Sequence, residues 1–229
     1  MASERVRLGN IAEVFLGKTP SRTHYRSEGT RKIVKFRDVQ DSGVDWSTEE
    51  SGFVAEDPSA LAGLRAVRAG DILATASAHS SEHIGRKVGW VEEVPERFSS
   101  AYFVGELLCI RIADVATAKT VYHFLRSERG YEAIQSVVSG VHLLASGAKQ
   151  IEIPLPPIEE QRRIAHLLDE ADRLQRLRRE ANDKAQRILP ALFVEMFGDP
   201  ETNPMGWERK CLDDLSDVSG GATPSTKEA

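Results

Sequence analysis

Three short stretches hold residue types that could do chemistry. His166-Leu-Leu-Asp-Glu-Ala-Asp-Arg-Leu174 spells the acidic box that holds Mg²⁺ in DEAD-type helicases, which would make the chain an ATPase. Upstream, Ala12-Glu-Val-Phe-Leu-Gly-Lys-Thr19 ends in the GKT that closes a phosphate-binding loop. His79-Ser-Ser-Glu-His83 has the H-x-x-E-H spelling of a zinc metalloprotease. Each chemistry demands a supporting element. The acidic box belongs at the end of a buried strand, the phosphate loop needs glycines whose N–H groups can close on phosphate, and the zinc pair needs one face of a stable helix plus a third ligand.

The surroundings supply none of these. From Pro157 to Leu189 no Gly or Pro interrupts, and Ile164, Leu167, Leu168, Ala171, Leu174, Leu177, Ala181, Ala185, Ile188 and Leu192 recur at steps of three and four, the stripe of a helix. Asp169 stands four residues before Arg173, Asp172 before Arg176, Glu180 before Lys184, Asp183 before Arg187 and Glu159 before Arg163. Acid-first pairs at this spacing stabilise a helix by ~0.2–0.5 kcal/mol each, so the carboxylates of DEAD are expected to be surface ion pairs. In the GKT stretch, Val14, Phe15 and Leu16 stand where a phosphate loop needs glycine. HSSEH follows a β-type run and precedes Gly85, which predicts a polar loop. His123 and His142 read as satisfied, partly buried histidines, and Cys109 as core. There is no N/D-P-P-Y/F/W tetrapeptide of a methyltransferase and no glycine-rich cofactor loop. No catalytic residue, metal ligand or cofactor is expected.

The totals set the class. A chain of 229 residues that is 41% apolar can bury a core. It lacks an apolar run near membrane-spanning length, and its N-terminus lacks a signal-peptide core. Cys109 and Cys211 form no metal-type spacing, and a reduced cytoplasmic setting is expected. The net charge of −5 argues at first against nucleic acid, but its distribution is uneven. Residues 1–150 carry 19 basic and 19 acidic side chains, so the deficit lies wholly beyond them. Within the neutral part, Lys18, Arg22, Arg26, Arg31, Lys32, Lys35 and Arg37 face only Glu28, a local excess that is either a solvated face or a contact surface for phosphate.

Those residues need a framework. Short β-type runs at Lys32–Phe36, Asp71–Thr75, Lys87–Val91 and Glu106–Ile112, with helices near Pro58–Val67 and Ala118–Val137, predict an α+β domain with a mixed, irregular sheet over residues 1–150. Ile151-Glu-Ile-Pro-Leu-Pro-Pro157 is then an extended linker, and Glu159 and Glu160 mark the start of the long helix, residues 158–198, kinked or restarted near Pro190. About 32 residues at ~1.5 Å each make a rod of roughly 48 Å, which needs a partner along its stripe. Residues 199–229 begin again. At an offset of 204, Leu212 to Ser225 repeats Leu8 to Ser21, with Leu, Val, Gly, Thr, Pro and Ser identical, so a second copy of the domain starts there. Lys18 becomes Ala222 in that copy, so the loop does not depend on the lysine.

The order of domain, Ile153-Pro-Leu-Pro-Pro-Ile-Glu-Glu-Gln161, long helix, Phe197-Gly-Asp-Pro200, Asn203-Pro-Met-Gly-Trp207 and renewed domain start resembles the specificity subunits of type I restriction-modification enzymes. Val67-Arg-Ala-Gly-Asp-Ile-Leu73 followed by Ile84-Gly-Arg-Lys-Val-Gly89 is similar to a strand, loop and strand of that family's target recognition domains. The resemblance implies a non-catalytic subunit in which two recognition domains, spaced by two long helices in an antiparallel coiled coil, each read half of a split DNA site. Methyltransferase subunits would dock on the helices, and a motor-endonuclease subunit would join them. One domain and one helix imply either a fragment or a half-length subunit that dimerises through Ile164, Leu167, Leu168, Ala171, Leu174, Ala181, Ala185, Ile188 and Leu192. The implied partner is double-stranded DNA, met by Lys18, Arg22, His24, Arg26, Arg31, Lys32, Lys35 and Arg37 and by the loop residues Ser77, His79, Arg86 and Lys87. Arg37 or Arg86 is placed for a bidentate contact to guanine. The totals alone also fit a coiled-coil scaffold with a protein-binding globular domain.

Overall fold

A computed structural model describes residues 4–41, 43–48 and 52–221. The chain forms two compact units, Met1–Arg176 and Leu177–Ala229.

The first unit is α+β. It opens with β1 (Glu4–Arg7), the single turn α1 (Leu8–Ile11), β2 (Glu13–Leu16), β3 (Tyr25–Arg26), β4 (Arg31–Val34), β5 (Val39–Gln40), β6 (Gly43–Val44) and β7 (Phe53–Val54). Asp57 then caps α2 (Pro58–Leu61), accepting a bond from the Ala60 N–H, with Pro58 in the first turn where its missing N–H costs nothing. This helix stops at Leu61, short of the expected Val67, because Val67 donates its N–H across to Ala101 at 2.8 Å. Next come β8 (Ile72–Thr75), β9 (Val88–Trp90) and β11 (Leu107–Arg111), where the apolar runs predict strands, and between the last two β10 (Ser100–Phe103), which they do not. The helix expected over Ala118–Val137 is two helices, α3 (Val115–Arg126) and α4 (Glu128–Gln135). Ser127 ends one and caps the other, accepting from the Gly130 N–H at 3.2 Å and donating to the Phe124 carbonyl at 2.6 Å. The short α5 (Ala145–Ala148) and β12 (Glu152–Leu155) lead into α6 (Ile158–Phe197).

Two four-stranded sheets build the domain. One is antiparallel throughout, in the order β2-β11-β8-β9, and shares a core with α3 and α4 that includes Ile72, Leu108, Ile110, Val121, Leu125 and Ile134. The other has the order β10-β4-β7-β3, with β10 and β4 parallel. Asp71 and Arg111 tie the first sheet together across β8 and β11. They make a bidentate pair at 2.7 and 2.8 Å with Asp71 almost wholly buried, the geometry in which guanidinium and carboxylate bind most strongly. The GKT loop is fixed by packing. Gly17 donates to the Leu107 carbonyl, and a Cβ there would lie 2.3 Å from the Val104 carbonyl oxygen and 2.4 Å from that of Phe103. Glycine is therefore required for close approach of two backbones. Lys18 turns away from any loop centre and donates to the Ala62 carbonyl at 2.8 Å.

α6 begins where Pro157 and the two glutamates predict, and it runs unbroken through Pro190. Gln161 and Ala165 are its buried residues, and the Gln161 amide donates to the Pro156 carbonyl at 2.7 Å. At ~100° per residue, Gln161, Ala165, Asp169 and Asp172 share one side of the helix. Leu167, Ala171 and Leu174 lie on roughly the other side, where Leu174 is 58% exposed, and half-buried Ile164 stands at the border. No helix among the described residues is long and apolar enough to cross a membrane.

In the second unit α6 continues with Leu177, Ile188 and Leu192 exposed. Beyond it, the Trp207 indole donates to the Phe197 carbonyl at 2.9 Å, and Asn203 brackets the Trp207 backbone with two further bonds. The turn at Leu212 closes with Ser216 N–H to Leu212 carbonyl at 3.0 Å, the counterpart at an offset of 204 of Ala12 N–H to Leu8 carbonyl at 3.0 Å. The remaining repeat positions, 222–225, lie outside the described residues.

Candidate nucleic-acid interface

Three separated stretches meet around one cleft in the first unit. Its floor and one wall come from the segment between β8 and β9. HSSEH falls here on a loop with a single 3-10 turn, Ser81–His83, in place of the α-helix that zinc chemistry requires. α4 holds this loop in place. The Gln135 amide donates to the carbonyls of Ser81 and Ile84, both at 2.9 Å, and the Tyr131 hydroxyl donates to the Glu82 carbonyl at 2.9 Å. The Arg86 guanidinium lies 4.1 Å from the Tyr131 ring centroid, which fixes its plane at the surface. Gly85, at φ +70°, allows the chain to turn back towards β9.

The opposite wall is the turn after β4. Buried Asp38 accepts the Lys35 N–H at 2.7 Å and returns its own N–H to the Lys35 carbonyl, so Phe36 and Arg37 stand outward at the tip. The Lys87 amine reaches the Phe36 carbonyl at 3.5 Å and so links the two walls. The turn between β10 and β11 closes the rear: the Glu106 carbonyl accepts from Ala76 and Ser77, and the Thr19 hydroxyl accepts from Gly105. The cleft has a volume of about 410 Å³ and is lined by Phe36, Thr75, Ser77, His79, His83, Arg86, Lys87 and Glu106. Beside it, Lys35 sits 5.0 Å from the Tyr25 ring. Burial, assisted by the negative charge of Glu106, raises the Tyr25 phenol above its ordinary range.

Ser77, His79, Arg86 and Lys87, singled out from sequence, are thus brought together, with Lys35 and Arg37 on the facing turn. Arg26 folds back on the carbonyls of Thr23 and Tyr25, and Arg22 and His24 form the 3-10 turn just before it. Lys18 and Arg31 are directed elsewhere, Arg31 to the Glu56 carbonyl at 3.1 Å. Lys32 departs most from expectation. It is 2% exposed, donates to the Thr48 carbonyl and lies 5.1 Å from the Phe53 ring, so it belongs to the core. β4 is an interior strand whose Lys32, Ile33 and Val34 are all buried, and the local charge count had no means of seeing that. Phe36, Thr75, His83, Glu106 and His142 went unselected. Phe36 alone carried a signal, an aromatic between two cations. His142 is exposed, not partly buried, and shares a hydrogen bond with Ser77 at 2.9 Å.

The acidic box has a different setting from the one its spacing suggests. Asp169 and Asp172 turn towards α3 instead of pairing along α6. Asp169 meets Lys119 at 3.2 Å and His123 at 2.8 Å, while Asp172 meets Arg126. Ion pairs along the helix include Glu159–Arg162, Glu160–Arg163 and Glu170–Arg173, each at a spacing of three. The His123 side chain is 7% exposed, and burial lowers its pKa in spite of the Asp169 hydrogen bond, which favours the charged form. The neutral ring therefore donates from Nε2 to the carboxylate. Tyr122 completes the seat: its hydroxyl donates to the Asp41 carbonyl at 2.9 Å, the Arg126 guanidinium lies 4.9 Å from its ring, and burial pushes its pKa up to about 12. Leu168 borders this side, lining the hollow beside Arg126, and so stands between the two faces of the helix.

Comparison with known proteins places this architecture. Residues 2–187 match the family model for the type I restriction modification DNA specificity domain. The MjaIX type I restriction enzyme specificity subunit of Methanocaldococcus jannaschii is 28% identical over 133 residues, 50% of this chain and 31% of its own length. A solved structure concerned with complex assembly and conformational transition of the type I R-M system aligns at TM-score 0.60 and 20% identity, over 82% of this chain and 43% of its own. The HsdS subunit from Thermoanaerobacter tengcongensis aligns at TM-score 0.54 and 22% identity, over 75% of this chain and 37% of its own. These structural likenesses are ones of fold, and the chain spans less than half the length of each of the three.

Proposed function

Since the chain belongs to the type I restriction-modification DNA specificity family, we propose that its first unit reads one half of a bipartite double-stranded DNA target. The observation that carries this reading is the cleft, where Lys35, Phe36 and Arg37 of the turn after β4 stand across from Arg86 and Lys87 of the loop before β9. Lys35, Arg37, Arg86 and Lys87 contact phosphate or guanine, and Ser77 and His79 reach base edges. In this role the chain is non-catalytic and cytoplasmic. Methyltransferase subunits dock on the long helix and a motor-endonuclease subunit joins through them. Residues 1–150 act as the recognition domain, 151–157 as its linker, 158–198 as the spacer, and 199–229 as the start of a further domain. The apolar stripe from Ile164 through Leu192, exposed from Leu167 onward, pairs antiparallel with a second copy, which restores two domains and two helices. A scaffold reading draws on that stripe alone and leaves the cleft without a purpose.

Selection from a random duplex pool, followed by sequencing of the bound fraction, tests the reading. One enriched half-site, or two with a fixed spacing, is expected. Replacing Lys35, Arg37, Arg86 and Lys87 by Gln should flatten the salt dependence of binding by about one counterion for each phosphate that is no longer neutralised. A pool that stays random even with a methyltransferase subunit present would exclude it. Dimerisation has its own assay: mass in solution should halve on Leu167→Asp with Leu174→Asp, and a wild-type chain that is monomeric at high concentration would refute it.

A further inference from the structure

Duplex reading by loops uses the cations and the aromatic at the rim of the cleft, and the depth behind that rim calls for an occupant of its own. The cleft's volume of about 410 Å³ falls in the range of pockets that enclose an organic ligand, and its walls have the chemistry of a base-binding site. The Phe36 side chain stands 44% exposed at the rim, held between Lys35 and Arg37 with the Lys87 amine 5.8 Å from its ring, and offers a face for stacking. At the floor Thr75 is 4% exposed, and its Oγ1 is buried without a hydrogen-bond partner among the described residues. An unpaired hydroxyl in a protein interior costs free energy unless something supplies a partner. The loop beside it is tied down by α4, which makes the orphan more telling.

Resting on the DNA-reading role, we propose that this cleft receives one nucleobase extruded from the duplex, stacked on Phe36 with its polar edge towards Thr75 and Ser77. The surrounding cations hold the phosphates on either side of the displaced nucleotide. The recognition unit thereby discriminates one position of its half-site by enclosing the base. Unstacking is least costly at a mismatched or already unpaired position, so affinity should rise when the opposing base is removed.

The test uses the full chain and the duplex obtained by selection, with 2-aminopurine placed at each position in turn. One position should brighten several-fold on binding, and an abasic site opposite it should tighten binding several-fold. Phe36→Ala should abolish the signal. Thr75→Val should weaken binding at that position several-fold while leaving the chain folded, since it deletes only the unpaired hydroxyl. If the duplex binds and no position brightens, the base pocket is refuted and DNA reading stands. Brightening that survives both substitutions would also refute the pocket. Failure of any duplex to bind would remove the DNA-reading role and the pocket with it.

Discussion

Replacing Asp172 by Asn should loosen the start of the long helix while leaving the sheet intact. Asp172 faces Arg126, with side chains 34% and 22% exposed, and His123 Nδ1 lies 4.0 Å from the same carboxylate. An exposed pair of this kind contributes ~0–1 kcal/mol, and breaking a fully buried one costs roughly 3–5 kcal/mol. Intermediate burial, plus a guanidinium left against the Tyr122 ring without its anion, puts the loss at about 2 kcal/mol. At 1.4 kcal/mol per tenfold, amides of residues 158–176 should exchange about 30-fold faster with deuterium. Amides of Ile72–Thr75 and Leu107–Arg111 should keep their rates, because their bonds belong to another layer. Arg126→Met combined with Asp172→Leu should restore most of the protection, as an apolar pair of similar bulk removes the stranded charge. Unchanged exchange in Asp172→Asn, or equal acceleration in the helix and the two strands, would refute the seat as an independent fastening.

Two further outcomes follow from the same packing. Gly17→Ala should cost about 3 kcal/mol, since its Cβ meets two backbone carbonyls, whereas Lys18→Ala should cost under about 1 kcal/mol; denaturant midpoints of the two variants decide between packing and phosphate chemistry for this loop. His123 has a folded-state pKa below the ordinary 6.5, so its contribution is complete above that value and is lost as pH falls through the lower one. Proton exchange of residues 158–176 should therefore quicken, beyond its intrinsic pH trend, on acidification below pH 6.5. An NMR titration that places the His123 midpoint above 6.5 would contradict the burial argument.

Much of this architecture was written in local pattern. The β-type runs became β4, β8, β9 and β11, and Pro157 with its glutamates became the start of α6, because short apolar runs between turn residues and helix starts are set by neighbours in sequence. What stayed hidden was set by distance. Spacing rules offer Asp169 the cation four residues on, but α3, 46 residues earlier, brings two cations and an imidazole to the same face. Lys32 looked like a phosphate contact because charge was counted along the chain, and only sheet order shows its strand to be interior. Helix breaks were obscured for a related reason: Ser127 is compatible with helix on both sides, and its capping bonds decide otherwise.

The two sides of α6 carry different kinds of surface. Lys119, His123 and Arg126 of the first unit hold one side through charge and hydrogen bonding at fixed positions, whereas Leu167 and Leu174 on the other side are exposed hydrocarbon. A foreign recognition domain grafted ahead of Ile153 would be seated in register if it carried a cation, an imidazole and a guanidinium at those three positions. The loops of such a domain would be free of the helix at this seat, since all three contacts come from α3.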